Sequence, residues 1–259
     1  MDKNLLNIIN FYKTFPQVKA IAIGGSTSAN TNDKKSDIDV YIFVEKDIPL
    51  EDRKQFITSI SSKSEVGGEY FGSGDEFFVD SLGQQLDCMY WNVDWFNSVV
   101  ENTWIKHYPS NGYTTCFLYT LNVCKILYDP TNWLADLKET INSPYPQELK
   151  QNIITRNIML MKDKPFASYY EQISKAIERK DFNSINHRVS AFLASYFDVI
   201  FAINELLHSG EKRLVKYANE HCKTLPENFE ENINKLLTQP NNQTLAILDD
   251  MIKNLKKVL

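Results

Sequence analysis

The hydrophobic pattern changes before the middle of the chain, and this change constrains the fold more strongly than any other feature. Up to about Tyr113, short β-branched runs alternate with amphipathic helical stretches, and beyond it only helical periodicity continues. The first pattern predicts a short mixed sheet flanked by helices, and the second predicts a helical bundle. We therefore predict an α+β chain with one domain over residues 1–130 and an all-α domain over residues 131–259.

Runs of apolar and β-branched residues bounded by turn-forming residues predict the strands of the first domain. They are Val18–Gly24, Asp37–Val44, Glu76–Asp80 and Gln85–Trp91. Helical periodicity in the same domain predicts helices at Leu5–Phe15, Leu50–Ser62 and Trp95–Thr103, the last capped by Asp94. The helices predicted beyond Tyr113 are Thr114–Tyr128, Asn132–Ile141, Pro146–Lys162, Phe166–Arg179, Phe182–Leu207, Glu211–Cys222, Glu227–Leu237 and Thr244–Leu259.

The composition narrows the classes of protein to which the chain can belong. With 43% apolar and 24% charged residues among 259, a packed core is expected and disorder is not. A formal net charge of −5 argues against general nucleic-acid binding. No apolar run reaches the length of a membrane span, and the N-terminal stretch lacks the features of a signal peptide. We therefore predict a cytoplasmic protein without a membrane partner, whose oligomeric state the sequence leaves open.

Two carboxylates, Asp37 and Asp39, stand at the head of the apolar run that forms the second predicted strand. Residues i and i+2 of a strand point to the same side, so the two side chains are presented together. Like charges this close are costly unless a cation compensates them, and their oxygen atoms favour a divalent cation such as Mg²⁺. A solvated strand end would explain Asp37 but not Asp39, which lies between Ile38 and Val40.

A glycine turn precedes these acids. The first predicted strand ends at Gly24 and Gly25, and Ser26 follows as the cap of a short predicted helix. Such a turn exposes backbone N–H groups at the positive end of a helix, which is an arrangement that binds phosphate. The Ser26 hydroxyl can add a hydrogen bond. A phosphate site beside a paired-carboxylate metal site suits phosphoryl or nucleotidyl transfer with two metal ions.

A third carboxylate is expected at a site of this kind. Asp87 is a lone acid in the otherwise apolar stretch GQQLDCMYW, and Asp80 competes with it for the role. Asp80 lies beside a turn, where a solvated acid needs no special reason. Asp87 is therefore the favoured third ligand.

These residues resemble the motif of the DNA polymerase β-type nucleotidyltransferase superfamily. GGS, a spacer of ten residues and DID within a hydrophobic strand are similar to its glycine-rich and D-x-D motif, over a core of about residues 18 to 92. The resemblance implies a short mixed sheet followed by a helical domain. It also implies that Asp37, Asp39 and Asp87 are catalytic and bind two Mg²⁺ ions, and that Gly25 and Ser26 hold the phosphates of a nucleoside triphosphate such as ATP.

The helical half resembles the C-terminal part of bacterial small-molecule nucleotidyltransferases, the group that includes aminoglycoside and lincosamide adenylyltransferases. The likeness lies in FAINELLHSGEKRL, where a helix carries Asn204, Gly210 breaks it and Lys212 follows. It implies that Asn204 and Lys212 contact the nucleotide, with Arg213 a weaker candidate. The alternative for Asn204 is an amide bonded to a neighbouring backbone group, and for Lys212 a solvated lysine at a helix start.

We therefore predict an enzyme that transfers a nucleoside monophosphate from a nucleoside triphosphate to a hydroxyl of a small-molecule acceptor and releases pyrophosphate. Asp87 or a glutamate of the helical half would accept the proton of that hydroxyl. One alternative is a regulatory, antitoxin-like nucleotidyltransferase that acts on a protein partner. Another is a non-catalytic nucleotide-binding protein, although the complete set of acids favours catalysis. The sequence selects neither the nucleobase nor the acceptor.

Overall fold

A computed structural model describes residues 2–24, 37–70, 72–164, 166–238 and 243–259. The chain forms two compact units. The sheet unit comprises Met1–Glu101 with Thr120–Ser143, and the helical unit comprises Asn102–Tyr119 with Pro144–Leu259. The predicted α+β class, a mixed sheet with helices followed by a helical region, is confirmed. The domain boundary between residues 130 and 131 stays a prediction.

A six-stranded sheet forms the centre of the sheet unit. Its strands in chain order are β1 (Val18–Ile23), β2 (Ile38–Val44), β3 (Lys63–Gly68), β4 (Gly74–Val79), β5 (Gln84–Asn92) and β6 (Lys125–Tyr128). Their order in the sheet is β3-β4-β5-β2-β1-β6, in which β2 and β5 are parallel and all other neighbours are antiparallel. The accompanying helices are α1 (Lys3–Lys13), α2 (Leu50–Ile60), α3 (Val93–Val100), α4 (Cys116–Val123, which begins in the helical unit) and α5 (Trp133–Ile141).

The alternation of residues along β2 separates the two faces of the sheet. Ile38, Val40 and Ile42 are buried in one apolar core together with residues of α1 and α2. Asp39 and Tyr41 therefore point to the opposite face, because successive side chains of a strand alternate.

Aromatic side chains cover part of that opposite face. Phe43 contacts Phe96 of α3 and Trp133 of α5, with ring centroids 5.0 Å and 5.3 Å apart. Next to it, the ring of Tyr41 packs against Trp91 of β5 at 4.6 Å. The aromatic side chains thus cover this face of β2 as far as Tyr41. The residue that precedes Tyr41 on the same face is Asp39.

Two edge strands and one helix cap differ from the prediction. β3 is almost wholly exposed, so its sequence lacks the apolar alternation from which strands are predicted. The predicted helix Thr114–Tyr128 is wrong at its C-terminal end, because α4 ends at Val123 and the following residues pair with β1 as β6. Asn92 rather than Asp94 caps α3, since its Oδ1 accepts a hydrogen bond of 3.0 Å from the Trp95 N–H.

The helical unit is organised around one long helix. Its helices are α6 (Gln147–Ile158), α7 (Tyr169–Glu178), α8 (Phe182–Ile203), α9 (Leu214–His221), α10 (Phe229–Thr238) and α11 (Thr244–Lys256). Buried apolar residues occur along α8 from Ile185 to Ala202, so the apolar sides of the other helices pack around it. Within the described parts of the chain, no helix combines the length and apolar character that a membrane span requires.

A buried carboxylate fixes the segment before α4 within the helical unit. Asp198 of α8 accepts hydrogen bonds from the Thr114 N–H (3.0 Å), the Thr114 hydroxyl (2.6 Å) and the Asn157 amide (3.1 Å). Burial raises the pKa of Asp198 to about 6, although these hydrogen bonds act to lower it. One side chain thereby connects three segments of the helical unit.

Candidate functional site

Asp39 and Asp87 lie side by side on neighbouring strands. β2 and β5 run in parallel, and their register places Asp39 opposite Asp87, next to the pair Val40–Cys88. Val40 and Cys88 are buried in the core, so both carboxylates point to the other face of the sheet. Both aspartates are partly exposed. The pairing of β2 with β5 therefore brings together two acids that are far apart in the sequence.

The row of acids continues across the next two strands. Glu76 of β4 is opposite Asp87, and Glu65 of β3 is opposite Glu76; both glutamates are exposed. We call Asp39, Asp87, Glu76 and Glu65 the acid row. Directly opposed like charges destabilise a sheet, and cross-strand pairs contribute roughly 0.2–1 kcal/mol each. Neither glutamate was predicted from the sequence as a site residue. The acid row indicates that the sheet gives up stability to concentrate negative charge there.

Each of the two aspartates has a neighbouring side chain on its own strand, Tyr41 beside Asp39 and Gln85 beside Asp87. The Gly24 N–H donates a hydrogen bond of 2.9 Å to the Asp39 backbone carbonyl, and a Cβ atom on Gly24 would lie 2.4 Å from Tyr41 Cε2. The Tyr41 ring therefore requires glycine at this position. Burial, reinforced by the charge of Asp39, raises the pKa of Tyr41 well above its ordinary value. The Gln85 amide donates a hydrogen bond of 2.8 Å to Asp87 Oδ1.

The structure describes the positions of the other two predicted acids but not those of the predicted phosphate contacts. Asp37 is exposed and directly precedes β2. Asp80 lies in the turn after β4, where it accepts a hydrogen bond of 2.7 Å from Ser62, and it is not part of the acid row. Gly25 and Ser26 lie outside the described residues, so their contacts with phosphate stay predictions.

The donor chemistry of the site fits a divalent cation. Among the residues that the structure describes, no group of three or more His, Cys, Asp or Glu side chains is arranged to hold a metal ion. The Asp39–Asp87 pair nevertheless supplies the hard oxygen ligands that Mg²⁺ takes, and Asp37 comes directly before the same strand. A cation would also offset the repulsion between the paired carboxylates.

Residues 4–68 match the family model of the nucleotidyltransferase domain. The chain therefore contains a nucleotidyltransferase domain. The matched residues extend from α1 to β3 and include Asp37 and Asp39, whereas Asp87 lies beyond them. The predicted superfamily and the predicted enzyme class, a transferase of nucleotidyl groups, are confirmed.

Three solved proteins are among those whose structures are similar to the chain. A nucleotidyltransferase-like protein from Exiguobacterium sibiricum 255-15 is 8% identical with a TM-score of 0.48, over 98% of this chain and 72% of that chain. A STING-associated CdnE c-di-GMP synthase from Capnocytophaga granulosa is 15% identical with a TM-score of 0.30, over 98% and 77%. A spectinomycin adenyltransferase AAD(9) from Enterococcus faecialis, with ATP and spectinomycin, is 16% identical with a TM-score of 0.28, over 97% and 99%. No curated protein matches the chain, and similarity this low carries no argument about its substrate.

A buried ion pair lies behind the acid row of the nucleotidyltransferase domain. Arg53 Nη1 of α2 is 2.6 Å from Asp75 Oδ1 of β4, and both side chains are buried. Asp75 also accepts hydrogen bonds from the Gly67 N–H of β3 (2.8 Å) and the Tyr90 hydroxyl of β5 (2.5 Å). Because Asp75 bonds to both neighbouring strands and to α2, it fixes β4 in the sheet. The position of Glu76, the next residue, depends on this anchor.

Asn204 forms a local bridge in the helical unit. It is the residue after the end of α8, and its side-chain amide donates to the carbonyls of Ile200 (2.9 Å) and Thr224 (2.8 Å). Its Oδ1 accepts a hydrogen bond of 2.8 Å from the Thr224 N–H. These bonds use both amide hydrogens and the amide oxygen. They agree with the alternative in which the Asn204 amide bonds to neighbouring backbone groups. The contact of Asn204 with nucleotide stays a prediction.

Lys212 is exposed in the turn that precedes α9. Gly210, with a φ of 93°, allows the chain to turn there, as glycine does at little cost. The contact of Lys212 with the triphosphate stays a prediction.

Proposed function

We propose that the protein transfers a nucleoside monophosphate from a nucleoside triphosphate to a hydroxyl of a small-molecule acceptor, with release of pyrophosphate. The observation that supports this proposal is the register of Asp39 with Asp87 on the parallel strands β2 and β5. We expect the two adjacent carboxylates to hold metal and the predicted turn with Gly25 and Ser26 to hold phosphate, which are the two kinds of site that nucleotidyl transfer needs.

The predicted site residues divide into those that would hold metal and those that would hold the nucleotide, and Asp87 is also a candidate base. Asp37, Asp39 and Asp87 would hold two Mg²⁺ ions, and Gly25 and Ser26 would hold the phosphates. When bound, the metal neutralises the triphosphate and lowers the pKa of the acceptor hydroxyl. Asn204 and Lys212 of the helical unit are the further candidates for nucleotide contact.

The reaction is a displacement at the α-phosphorus. The acceptor oxygen forms a bond to this phosphorus, the bond to the oxygen that bridges to the β-phosphate breaks, and pyrophosphate leaves. The proton of the acceptor hydroxyl passes to a carboxylate. Asp87 is our first candidate for this base, and Glu76, which is opposite Asp87 in the sheet, is the second.

The charge of the acid row favours a neutral or cationic acceptor. Glu76 and Glu65 extend negative charge away from Asp87 across two more strands. A polyanionic acceptor such as nucleic acid would be repelled there, in keeping with the net charge of −5. A hydroxyl compound without phosphate groups therefore suits this surface best.

The proposal is tested by measuring pyrophosphate release from each common nucleoside triphosphate with Mg²⁺ and a panel of hydroxyl compounds. Asp39→Asn and Asp87→Asn are expected to lower turnover by more than roughly 100-fold. That is the loss caused by removing a residue that only hydrogen-bonds to a metal ligand. Asp80→Asn is the matched control, since Asp80 lies at a turn outside the acid row.

Binding of Mn²⁺, followed by its electron paramagnetic resonance, gives a second readout that does not depend on finding the acceptor. Asp39→Asn and Asp87→Asn are expected to weaken this binding, whereas Asp80→Asn leaves it unchanged. The site assignment is wrong if both active-site variants retain metal-dependent nucleotide binding and turnover.

A further inference from the structure

The helical unit contains a cavity that the proposed reaction does not use. It has a volume of about 370 Å³ and lies between α8, the start of α9 and α10. This volume is within the range of sites that bind small organic molecules, roughly 300–1,000 Å³. Most of its wall is apolar and is formed by Leu193, Phe197, Leu214, Val215, Ile233 and Leu237.

The rim of the cavity carries more positive than negative charge. Arg213 and Lys216 line it together with one carboxylate, Glu211. Arg213 forms no ion pair with any of the described residues. Lys216 forms one exposed ion pair, in which its Nζ is 3.7 Å from Glu220 Oε1. Both cations can therefore turn toward an anion in the cavity at little cost.

The N-terminus of α9 adds to the positive character of this rim. The residue before the helix is Arg213, and no side chain caps the helix there. The first N–H groups of a helix have no partner within it, and they carry partial positive charge. Leu214, Val215 and Lys216, the first three residues of α9, all line the cavity. Arg213 itself has a φ of 57°, a left-handed backbone conformation that residues other than glycine seldom adopt.

We propose that this cavity binds a small amphipathic anion, with an apolar body between α8 and α10 and a carboxylate or similar headgroup at the start of α9. The apolar wall accounts for the body of the ligand, and Arg213, Lys216 and the uncapped N–H groups account for its charge. Glu211 disfavours a ligand of high negative charge, so a single anionic headgroup fits best. All of these residues belong to the helical unit, and the proposal does not depend on nucleotidyl transfer.

The test compares two fluorescent probes with the same kind of aromatic body. One is 8-anilinonaphthalene-1-sulfonate, an anion, and the other is N-phenyl-1-naphthylamine, which is neutral. Both are titrated into the full-length protein, and bound sulfonate is then challenged with decanoate or with decylamine. We expect saturable binding of one sulfonate probe per chain and displacement by decanoate but not by decylamine.

Two variants separate charge from shape. Arg213→Gly combined with Lys216→Gln removes both cations, and glycine accepts the φ of 57° at position 213. We expect it to weaken the sulfonate by about tenfold or more and the neutral probe by less than about twofold. Ser190→Phe, at an exposed residue that lines the cavity, is expected to weaken both probes by filling it.

Lys235→Gln on the exposed side of α10 is the matched control and is expected to change neither affinity, while thermal unfolding confirms that each variant is folded. The proposal is overturned if the charge variant weakens both probes equally, because the cavity would then be an apolar surface without a headgroup site. Binding that is not saturable, or that Ser190→Phe leaves unchanged, also overturns it.

Discussion

Asp75 and Glu76 are neighbours in the sequence, yet Asp75 forms a buried ion pair on one face of β4 and Glu76 belongs to the acid row on the other. The same strand thus carries one carboxylate that stabilises the fold and one that costs stability. Substitutions at these two positions are therefore expected to have opposite effects.

The first prediction concerns this contrast. Asp75→Asn leaves the buried Arg53 guanidinium without a carboxylate, and we expect the free energy of unfolding to fall by about 3–5 kcal/mol. Glu76→Gln removes repulsion from Asp87 and is expected to raise it by up to about 1 kcal/mol. Urea denaturation measures both values. Equal losses in the two variants would show that the two faces of β4 do not differ in this way.

The second prediction concerns the acid row as a source of negative potential. Glu76→Gln is expected to weaken Mn²⁺ binding by about tenfold, because the charge that it removes is on the strand next to Asp87. Glu65→Gln removes an equal charge one strand farther away and is expected to have a smaller effect. A titration followed by electron paramagnetic resonance ranks the two variants, and the reverse order would contradict the proposed metal position.

The third prediction tests the close approach of Gly24 to Tyr41. Gly24→Ala places a methyl group where its carbon would lie 2.4 Å from Tyr41 Cε2, so we expect a loss of stability of about 1–3 kcal/mol. Tyr41→Val removes the ring and leaves space for that methyl group. The double variant is therefore expected to be more stable than the sum of the single losses predicts, and strict additivity would rule out the clash.

The fourth prediction separates the two interpretations of Asn204. Asn204→Ala removes three hydrogen bonds, one to Ile200 within α8 and two that connect the end of α8 to Thr224, and we expect it to lower the stability by about 1–3 kcal/mol. If the amide serves only the fold, nucleotide affinity measured well below the unfolding temperature will be unchanged. A loss of affinity in the folded variant would support the nucleotide contact. Lys212→Gln is the companion variant, since Lys212 is exposed and its loss affects binding alone.

The fifth prediction concerns the pH dependence of stability. His208 is buried; its Nδ1 accepts a hydrogen bond of 3.1 Å from the Gly210 N–H, and its Nε2 has no partner among the described residues. Burial lowers the pKa of His208 from 6.5 to about 4 and raises that of Asp198 from 3.8 to about 6. Between pH 4 and 6 the folded state therefore binds fewer protons at His208 and more at Asp198 than the unfolded chain does.

His208 and Asp198 make opposite contributions to the pH dependence of stability. As pH rises through this window, His208 adds to the stability and Asp198 reduces it, each by about 3 kcal/mol at most. Relative to the unmodified protein, Asp198→Asn is expected to gain stability from pH 4 to 6, and His208→Asn is expected to lose it. Rotation of the Asn157 amide, whose Oδ1 has no partner among the described residues, can accommodate Asp198→Asn. Guanidinium unfolding at several pH values measures both differences, and slopes of the opposite sign would refute the assignment.

The sequence predicts those parts of the site that a local pattern encodes. Asp39 is recognisable because a charged residue within an apolar run is costly, and Asp87 is recognisable for the same reason. Their direct pairing depends on which strands become neighbours and in which register, and neither is a local property. Glu76 alternates with the buried Asp75 and Phe77, and this alternation is the signal that could have identified it.

The elements missed by the prediction share a physical cause. β3 and β6 are the two edge strands, and edge strands bury too little surface to require an apolar alternation. The Arg53–Asp75 pair is equally hidden in the sequence, because two charged residues on separate elements give no sign that they are buried together. Tertiary pairing decides both cases.

The parallel pairing of β2 with β5 has a consequence for how activity arises during folding. Parallel neighbours cannot be joined by a tight turn, and here the connection includes α2, β3 and β4. This crossover must close before Asp39 and Asp87 meet, and the closure of such long-range contacts is a slow step. A refolding chain can thus regain most of its helices while it remains catalytically silent. The return of metal binding would then report the moment at which the central sheet is complete.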